Sequence, residues 1–368
     1  MIVSQKVPAV DLAWQHAQIA DEVRAGFDRV LETTGFILGA EAEAFERAYS
    51  AYCGVGHTVG VGSGTDAVEL ALRAAGVEAG DEVVIPANTF VATAEGVARA
   101  GGVPVLVDCD EDYLIDVEAA AAAVTPRTRA VVGVHLYGRL APIERLREAV
   151  GPGVAIVEDA AQSQGARSSV SGLRSGALGD VAATSFYPGK NLGAYGDAGA
   201  VTTSDPEIAE RVRRLRNHGG TARYEHLEVG TTSRLDGLQA VVLAAKLALL
   251  DDWNARRRAV ADRYDAGLAG LPGVVLPGRG GPEEHVHHLY VVRVPERDRV
   301  VAELNEQGIG AAVHYPAPVH RTPAFAHLGG SHPRSEAYAA EILSLPIHPG
   351  LDAEQQEHVI DAVRRSLG

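Results

Sequence analysis

From residue 58 onward, short and almost wholly apolar runs alternate with longer stretches whose apolar positions recur three and four apart. Thr58–Val61, Glu82–Ile85, Val103–Val107, Ala130–Val134 and Ala155–Val157 have the length and β-branched content of strands. Continuous apolarity of this kind suits strands covered on both faces, as in a parallel sheet. Between them, Asp66–Ala75, Thr93–Ala100, Val117–Ala123 and Ile143–Ala149 read as amphipathic crossover helices. The alternation is that of βαβ units, so the class is α/β.

The pattern then changes. Val181–Phe186 and Ala198–Thr203 are again strand-like, but the segment between them is short and carries Gly189, Gly193 and Gly196. A helical crossover needs a dozen or more residues of helix-forming sequence, so one antiparallel strand is expected in a mixed, mostly parallel sheet of seven. A helical run follows from Leu235 to about Gly267, and the Pro/Gly-rich Leu271–Pro282 breaks it. This divides the chain into a large unit over 1–250, opening with a helical segment, and a smaller C-terminal α+β unit over 251–368. In the smaller unit His287–Val294 and Gly310–His314 read as strands, and Asp298–Gln307 and Ala353–Ser366 as helices.

Composition narrows the function. With 368 residues, 46% of them hydrophobic, the chain is large enough for a second core. Forty-eight acidic against 33 basic side chains leave a formal charge of −15, which disfavours nucleic acid as a partner. Cys53 and Cys109 are too few for a disulfide framework and read as small buried hydrophobes. The N-terminus lacks the apolar core of a signal peptide, and no run approaches the roughly 20 apolar residues of a membrane span. A cytoplasmic protein with no membrane partner is expected.

Three places carry chemistry. Gly60-Val-Gly-Ser-Gly-Thr-Asp66 joins a strand to a helix, with Ser63 or Thr65 as its cap, Asp66 at its positive end and Arg73 in its last turn. A glycine-rich turn at a helix N-terminus offers free amides to a phosphate. The spacing matches neither a P-loop nor a dinucleotide fingerprint, which weakens a nicotinamide-dependent oxidoreductase. Glu158 and Asp159 end a buried strand, where open α/β sheets bind ligands. Alternation sends the two carboxylates to opposite faces, so only one serves a site and the bland role for Asp159 is a helix cap. Lys190 stands just past the next strand, among glycines and far from other charges until Asp197. Lysines ordinarily lie on solvated faces, but one in such surroundings can have a lowered pKa, as carbonyl chemistry requires. Phosphate cradle, strand-end acid and strand-exit lysine together are the parts that pyridoxal 5′-phosphate needs.

Gly62-Ser-Gly-Thr-Asp66, Pro86-Ala-Asn-Thr-Phe90, His135-Leu-Tyr-Gly138, Glu158-Asp-Ala-Ala-Gln162, Ser185-Phe-Tyr-Pro-Gly-Lys-Asn-Leu-Gly193, Gly196-Asp-Ala-Gly-Ala200 and Ser233-Arg-Leu-Asp236 stand in this order along the chain. With them the sequence resembles the DegT/DnrJ/StrS family of nucleotide-sugar aminotransferases, pyridoxal-phosphate enzymes of fold type I, over nearly its whole length. The resemblance implies that Lys190 takes the cofactor's aldehyde on its amine and later moves the proton. It implies that Asp159 pairs with the ring nitrogen, Gln162 with the phenolic oxygen, and Phe90 with the ring face. Gly64, Thr65 and Ser185 would bind the phosphate. It also implies a homodimer with the site at the interface, where the partner chain supplies an asparagine to the phosphate. The corresponding position here is Thr232, shorter and offering only a hydroxyl. A branch of the family with histidine in place of the lysine dehydrates sugars, and Lys190 argues against it.

The resemblance further implies transfer of an amine from L-glutamate to a keto sugar joined to a nucleoside diphosphate. Ser185–Lys190 and His314-Tyr-Pro-Ala-Pro-Val-His320 are similar to members that aminate 3-keto sugars, which points to a dTDP-3-keto-6-deoxyhexose and an antibiotic-type deoxysugar route. Amination at the 4-position is the nearest alternative, and a non-catalytic regulator on the same fold a more distant one. Tyr187, His314 and Tyr315 are the candidate substrate contacts, though His314 and Tyr315 could equally be packed strand-end residues. His285, His287 and His288 lack a completing Cys or carboxylate, so no metal is expected. Arg211, Arg213, Arg214 and Arg216 read as a solvated basic face, with Arg216 the one candidate to assist a diphosphate.

Overall fold

A computed structural model describes residues 6–222 and 224–367. Two helices that the strand-like pattern does not reach, α1 (Leu12–Thr33) and α2 (Gly39–Cys53), precede the first strand. Asp11 caps α1 by accepting from the Trp14 amide. The helix turns Gln15, Ile19, Val23 and Val30 inward, and Val242 and Ala245 lie in the same small core.

The central sheet has seven strands: β1 (His57–Val61), β2 (Glu82–Pro86), β3 (Val103–Val107), β4 (Thr128–Val134), β5 (Ala155–Asp159), β6 (Val181–Ser185) and β7 (Gly199–Thr203). Their order is β1-β7-β6-β5-β4-β2-β3, and only β7 runs against its neighbours. The mixed, mostly parallel sheet read from the sequence is therefore present, with its single antiparallel strand where the short Gly-rich connection required it. The crossovers α3 (Gly64–Ala74), α4 (Val91–Arg99), α5 (Val117–Ala122) and α6 (Ile143–Val150) match the expected stretches within a few residues. One apolar core holds Val59, Val61, Leu70, Leu72, Val83 and Val157, and a second holds Val84, Val131, Ile143, Leu146 and Ile156. Neighbours in sequence such as Val83 and Val84 fall in different cores because successive strand residues face opposite ways.

Register brings the site segments together. Val61 and Ser185 both pair with Gly199, so the carboxyl ends of β1 and β6 meet at one residue of β7. A Cβ at Gly199 would lie 2.4 Å from the Ser63 carbonyl oxygen, so glycine is what allows the β1–α3 turn to close on the sheet.

After α7 (Pro206–Leu215), the run read as one long helix is two: α8 (Gly237–Leu247) and α9 (Leu250–Leu268). α9 carries Val260, Ala261, Tyr264 and Leu268 into a separate core with β8 (Tyr290–Arg293), α10 (Arg297–Glu306), β9 (Ile342–Leu345) and α12 (Ala353–Leu367). The strand read as His287–Val294 begins later, at Tyr290. Gly310–His314 is not a strand; it contributes a single bridge, Ala312 to Ser344, on the edge of β9 away from β8, because the Gly310 and Ala311 amides donate instead to the Val7 and Ile309 carbonyls. β9 and the preceding α11 (Pro333–Glu341) are additions to the sequence reading. Val7, ahead of α1, also joins this second core, bonded on both sides to the Gly308–Gly310 turn.

Candidate active site

The strand ends and the turns after them enclose a cavity of about 480 Å³. Lys190, Asp159, Gly64, Thr65, Phe90, Gln162, Ser185, Tyr187, His314 and Tyr315 all line it. Thr232 does not line it. It pairs with Asn217, and its hydroxyl lies 2.9 Å from His218 Nε2.

The two carboxylates that end β5 divide as alternation requires. Glu158 faces away and is fully buried, accepting from the amides of Gly176, Leu178 and Gly179 and lying 2.8 Å from His135 Nε2. The Ala141 amide donates to His135 Nδ1, so the ring's proton sits on Nε2 and points at Glu158. Asp159 faces the cavity. Its Oδ2 accepts from Thr93 Oγ1 at 2.7 Å and its Oδ1 from the Ala161 amide at 3.2 Å. No helix follows it, so it caps none.

Lys190 follows β6 in a turn closed by its amide donating to the Tyr187 carbonyl. Burial lowers its ammonium pKa from 10.5 to about 8, against the opposing pull of Asp159. It is thus an amine that exchanges protons near neutral pH.

Across the cavity, α3 presents its N-terminus. Ser63, not Thr65, is the cap, and its hydroxyl accepts from the Asp66 amide while its carbonyl accepts from Ala67. That leaves the amides of Gly64 and Thr65 without an acceptor among the described residues, beside the Ser185 side chain. A Cβ on Gly64 would stand 2.5 Å from Ser185 Cβ, so the close approach requires glycine.

The remaining wall is aromatic and polar. Gln162 Oε1 accepts from the Tyr137 amide at 2.6 Å, which turns Nε2 toward the Tyr315 hydroxyl at 3.0 Å and the cavity. Phe90, about half exposed, lies with its ring centroid 5.0 Å from that of Tyr315. Tyr187 is exposed at the mouth. His314 Nδ1 is 2.8 Å from Ser344 Oγ, and burial, then Lys190, pushes its pKa down.

Sequence reasoning missed His288 and Asn191. His288 lines the cavity, and burial and then Lys190 hold its pKa well below the ordinary imidazole value. Asn191 donates to Asn254 Oδ1 and the Val286 carbonyl, leaving its Oδ1 to face His288 Nδ1 at 3.3 Å. The signal was available: Asn191 adjoins Lys190, and His288 alternates with its two neighbours, whose rings stack 3.8 Å apart. Among the described residues no cluster of three or more His, Cys, Asp or Glu is arranged to hold a metal ion. Arg216 requires correction. It is buried, donating to Glu46 Oε1 and the Gly60 carbonyl at 2.6 Å each, and is not free to meet a diphosphate. Cys53 and Cys109 are free and buried, as expected. No helix among the described residues is long and apolar enough to cross a membrane.

Comparison with known proteins gives consistent neighbours. A dTDP-3-amino-3,4,6-trideoxy-alpha-D-glucose transaminase of Streptomyces venezuelae is 49% identical over 364 residues, 98% of this chain and 96% of that one. The crystal structure of DesV from S. venezuelae in complex with a ketimine intermediate superposes with a TM-score of 0.94 at 49% identity, covering 98% of each chain. The structure of ntda from Bacillus subtilis, with bound cofactor PMP, matches with a TM-score of 0.91 at 30% identity, covering all of this chain and 86% of that one. The model of the DegT/DnrJ/EryC1/StrS aminotransferase family matches residues 17–364, and the chain belongs to that family.

Proposed function

We propose that this protein is a pyridoxal-phosphate-dependent aminotransferase that passes the amine of L-glutamate to a nucleotide-linked 3-keto sugar. A dTDP-3-keto-6-deoxyhexose is the substrate class named. The observation that carries the proposal is the meeting, in one cavity, of a lysine whose pKa falls to about 8, a strand-end aspartate and an uncapped pair of helix amides.

Those residues fit pyridoxal phosphate. The Gly64 and Thr65 amides, with the Thr65 and Ser185 hydroxyls, supply a phosphate cradle at the positive end of α3. Asp159 would hold the ring nitrogen protonated, Gln162 Nε2 would donate to the phenolic oxygen, and Phe90 would cover one ring face. When bound, the cofactor supplies an aldehyde that accepts an amine and a ring that withdraws electrons from the reacting carbon. The chain's own work is acid–base and positional. Lys190 Nζ, poised near neutral pH, takes a proton from one carbon and returns it to another. Tyr187 at the mouth and His314 and Tyr315 on the facing wall would orient the sugar.

The similarity to a dTDP-3-amino-3,4,6-trideoxy-alpha-D-glucose transaminase supports the 3-position and the nucleotide, and 47% identity to the erythromycin biosynthesis sensory transduction protein EryC1 of Saccharopolyspora erythraea supports a place in deoxysugar biosynthesis for an antibiotic. A homodimer with the site at its interface belongs to the same proposal. Leu31, Phe36, Ile37, Leu227 and Val229 leave large apolar surface exposed on one protomer, as interfaces do. Thr232, next to His218, would then reach the partner's phosphate. We also place the boundary between the two units near residue 250, at the start of α9, and the protein in the cytoplasm, where two free thiols persist.

The test is turnover. With pyridoxal phosphate, L-glutamate should yield 2-oxoglutarate while a dTDP-3-keto-6-deoxyhexose becomes an amino sugar in which a hydrogen and an NH2 replace the carbonyl oxygen, heavier by about 1 Da and read by mass spectrometry. Amination of a 4-keto sugar alone would move the assignment to the 4-position.

A further inference from the structure

The hydrogen bond to Asp159 Oδ2 is the end of a chain. Thr93 Oγ1 donates to it at 2.7 Å, and Thr89 Oγ1 lies 2.7 Å from Thr93 Oγ1. Both threonines are buried, at 0% and 2% exposure, and Thr89 lines the cavity. An ionised carboxylate only accepts, and a hydroxyl has one proton. Thr93 must therefore give its proton to Asp159, and Thr89 must give its own to Thr93. The direction Thr89 to Thr93 to Asp159 follows without freedom.

The chain also has a structural logic. Thr93 stands in the first turn of α4, whose cap position is Phe90. The helix that sets one aromatic wall of the cavity thus also fixes the carboxylate at its floor. Asp159 is only 7% exposed, and the Ala161 amide, at 3.2 Å, is its one other donor among the described residues. Rotation of the carboxylate would break the shorter bond, and a buried carboxylate oxygen left without a donor is costly.

We propose that Thr93 is a positioning residue for Asp159, with Thr89 orienting its hydroxyl, and that the pair keeps the carboxylate aimed at the ring nitrogen of bound pyridoxal phosphate. This rests on the reading of Asp159 as the ring-nitrogen partner.

Three variants separate the two ideas. Thr93→Val keeps the shape and removes the hydroxyl, Thr93→Ser restores it, and Asp159→Asn removes the charge. Two quantities are read on the refolded or cofactor-stripped protein: the pyridoxal-phosphate dissociation constant by titration, and the 15N NMR position of ring-labelled cofactor. Thr93→Val should weaken binding roughly tenfold or more, the scale of a hydrogen bond to a charged group. It should also move the nitrogen signal toward the unprotonated form, and Thr93→Ser should retain both values. In the Asp159→Asn background, Thr93→Val should add nothing, with thermal melts of each variant confirming the fold. Asp159→Asn altering both quantities while Thr93→Val alters neither overturns the proposal and leaves the role of Asp159 intact. An additive effect of Thr93→Val in the Asp159→Asn background overturns it too, since the threonine would then act by another path. If Asp159→Asn changes neither quantity, the role of Asp159 fails and the proposal falls with it.

Discussion

Two lysines among the described residues, Lys246 buried and Lys190 half-buried at the cavity, have a pKa lowered to about 8 by desolvation, and their neighbours tell them apart. Lys246 lies under α1 with the Gln15 side chain at 3.3 Å and the Tyr195 ring nearby. Lys190 lies in the cavity with Asp159. The sequence reading reached Lys190 and Asp159 because glycines and strand alternation mark them. It could not see Lys246, which sits in an ordinary helical run. Lys190 has a consequence for the cofactor-free protein. The unfolded chain holds its lysine proton up to about pH 10.5, whereas the folded chain releases it near 8. Between these values the unfolded state binds more protons, so this group raises stability as pH rises from about 8 to 10.5. Below 8 it destabilises by a constant amount. Lys190→Met should therefore stabilise the cofactor-free protein most at pH 7 and progressively less by pH 10, compared by urea midpoints. An equal gain at both values would contradict the depressed amine.

At the scale of elements, the turn from β1 into α3 was legible from its glycines and Asp66, but its cap stayed open between Ser63 and Thr65 until the structure placed Ser63 there. The close approach behind Gly64 was not legible, since Ser185 is 121 positions away and only the shared pairing with Gly199 joins them. Gly64→Ala should displace the turn and overpack it, at a cost of about 1–3 kcal/mol. Pyridoxal phosphate should bind correspondingly weaker, read by thermal melts and cofactor titration of the same preparation. Unchanged affinity would mean the amides of this turn do not hold the phosphate. Elsewhere the pattern failed for identifiable reasons. The break between α8 and α9 falls at Ala248 and Leu249, which carry no Gly or Pro to mark it. β9 follows α11 directly at Ile342, again without a turn residue, so four strand residues hide at the end of a helix. Gly310–His314 alternates like a strand, yet its first amides are taken by the Val7 and Ile309 carbonyls, and only Ala312 reaches β9.

At the scale of the molecule, α/β class, sheet size and the antiparallel strand were legible because they depend on periodicity and connection length. The assembly of the cavity was not, because it draws on the β1–α3 turn, β4, β5, β6, α4 and the segments around His288 and His314, which register and inter-unit packing bring together. That convergence is the central claim: one lysine, one aspartate and one helix end act on a single cofactor. The most direct test is the absorption spectrum of the purified protein after pyridoxal phosphate has been added and the unbound cofactor removed, followed through sequential additions. A visible band should appear, move to the near-ultraviolet with L-glutamate, and return with the keto sugar; Lys190→Ala should never show it. A protein that stays transparent above the range of its own aromatic side chains, or a Lys190→Ala variant with an unchanged band, would contradict the account.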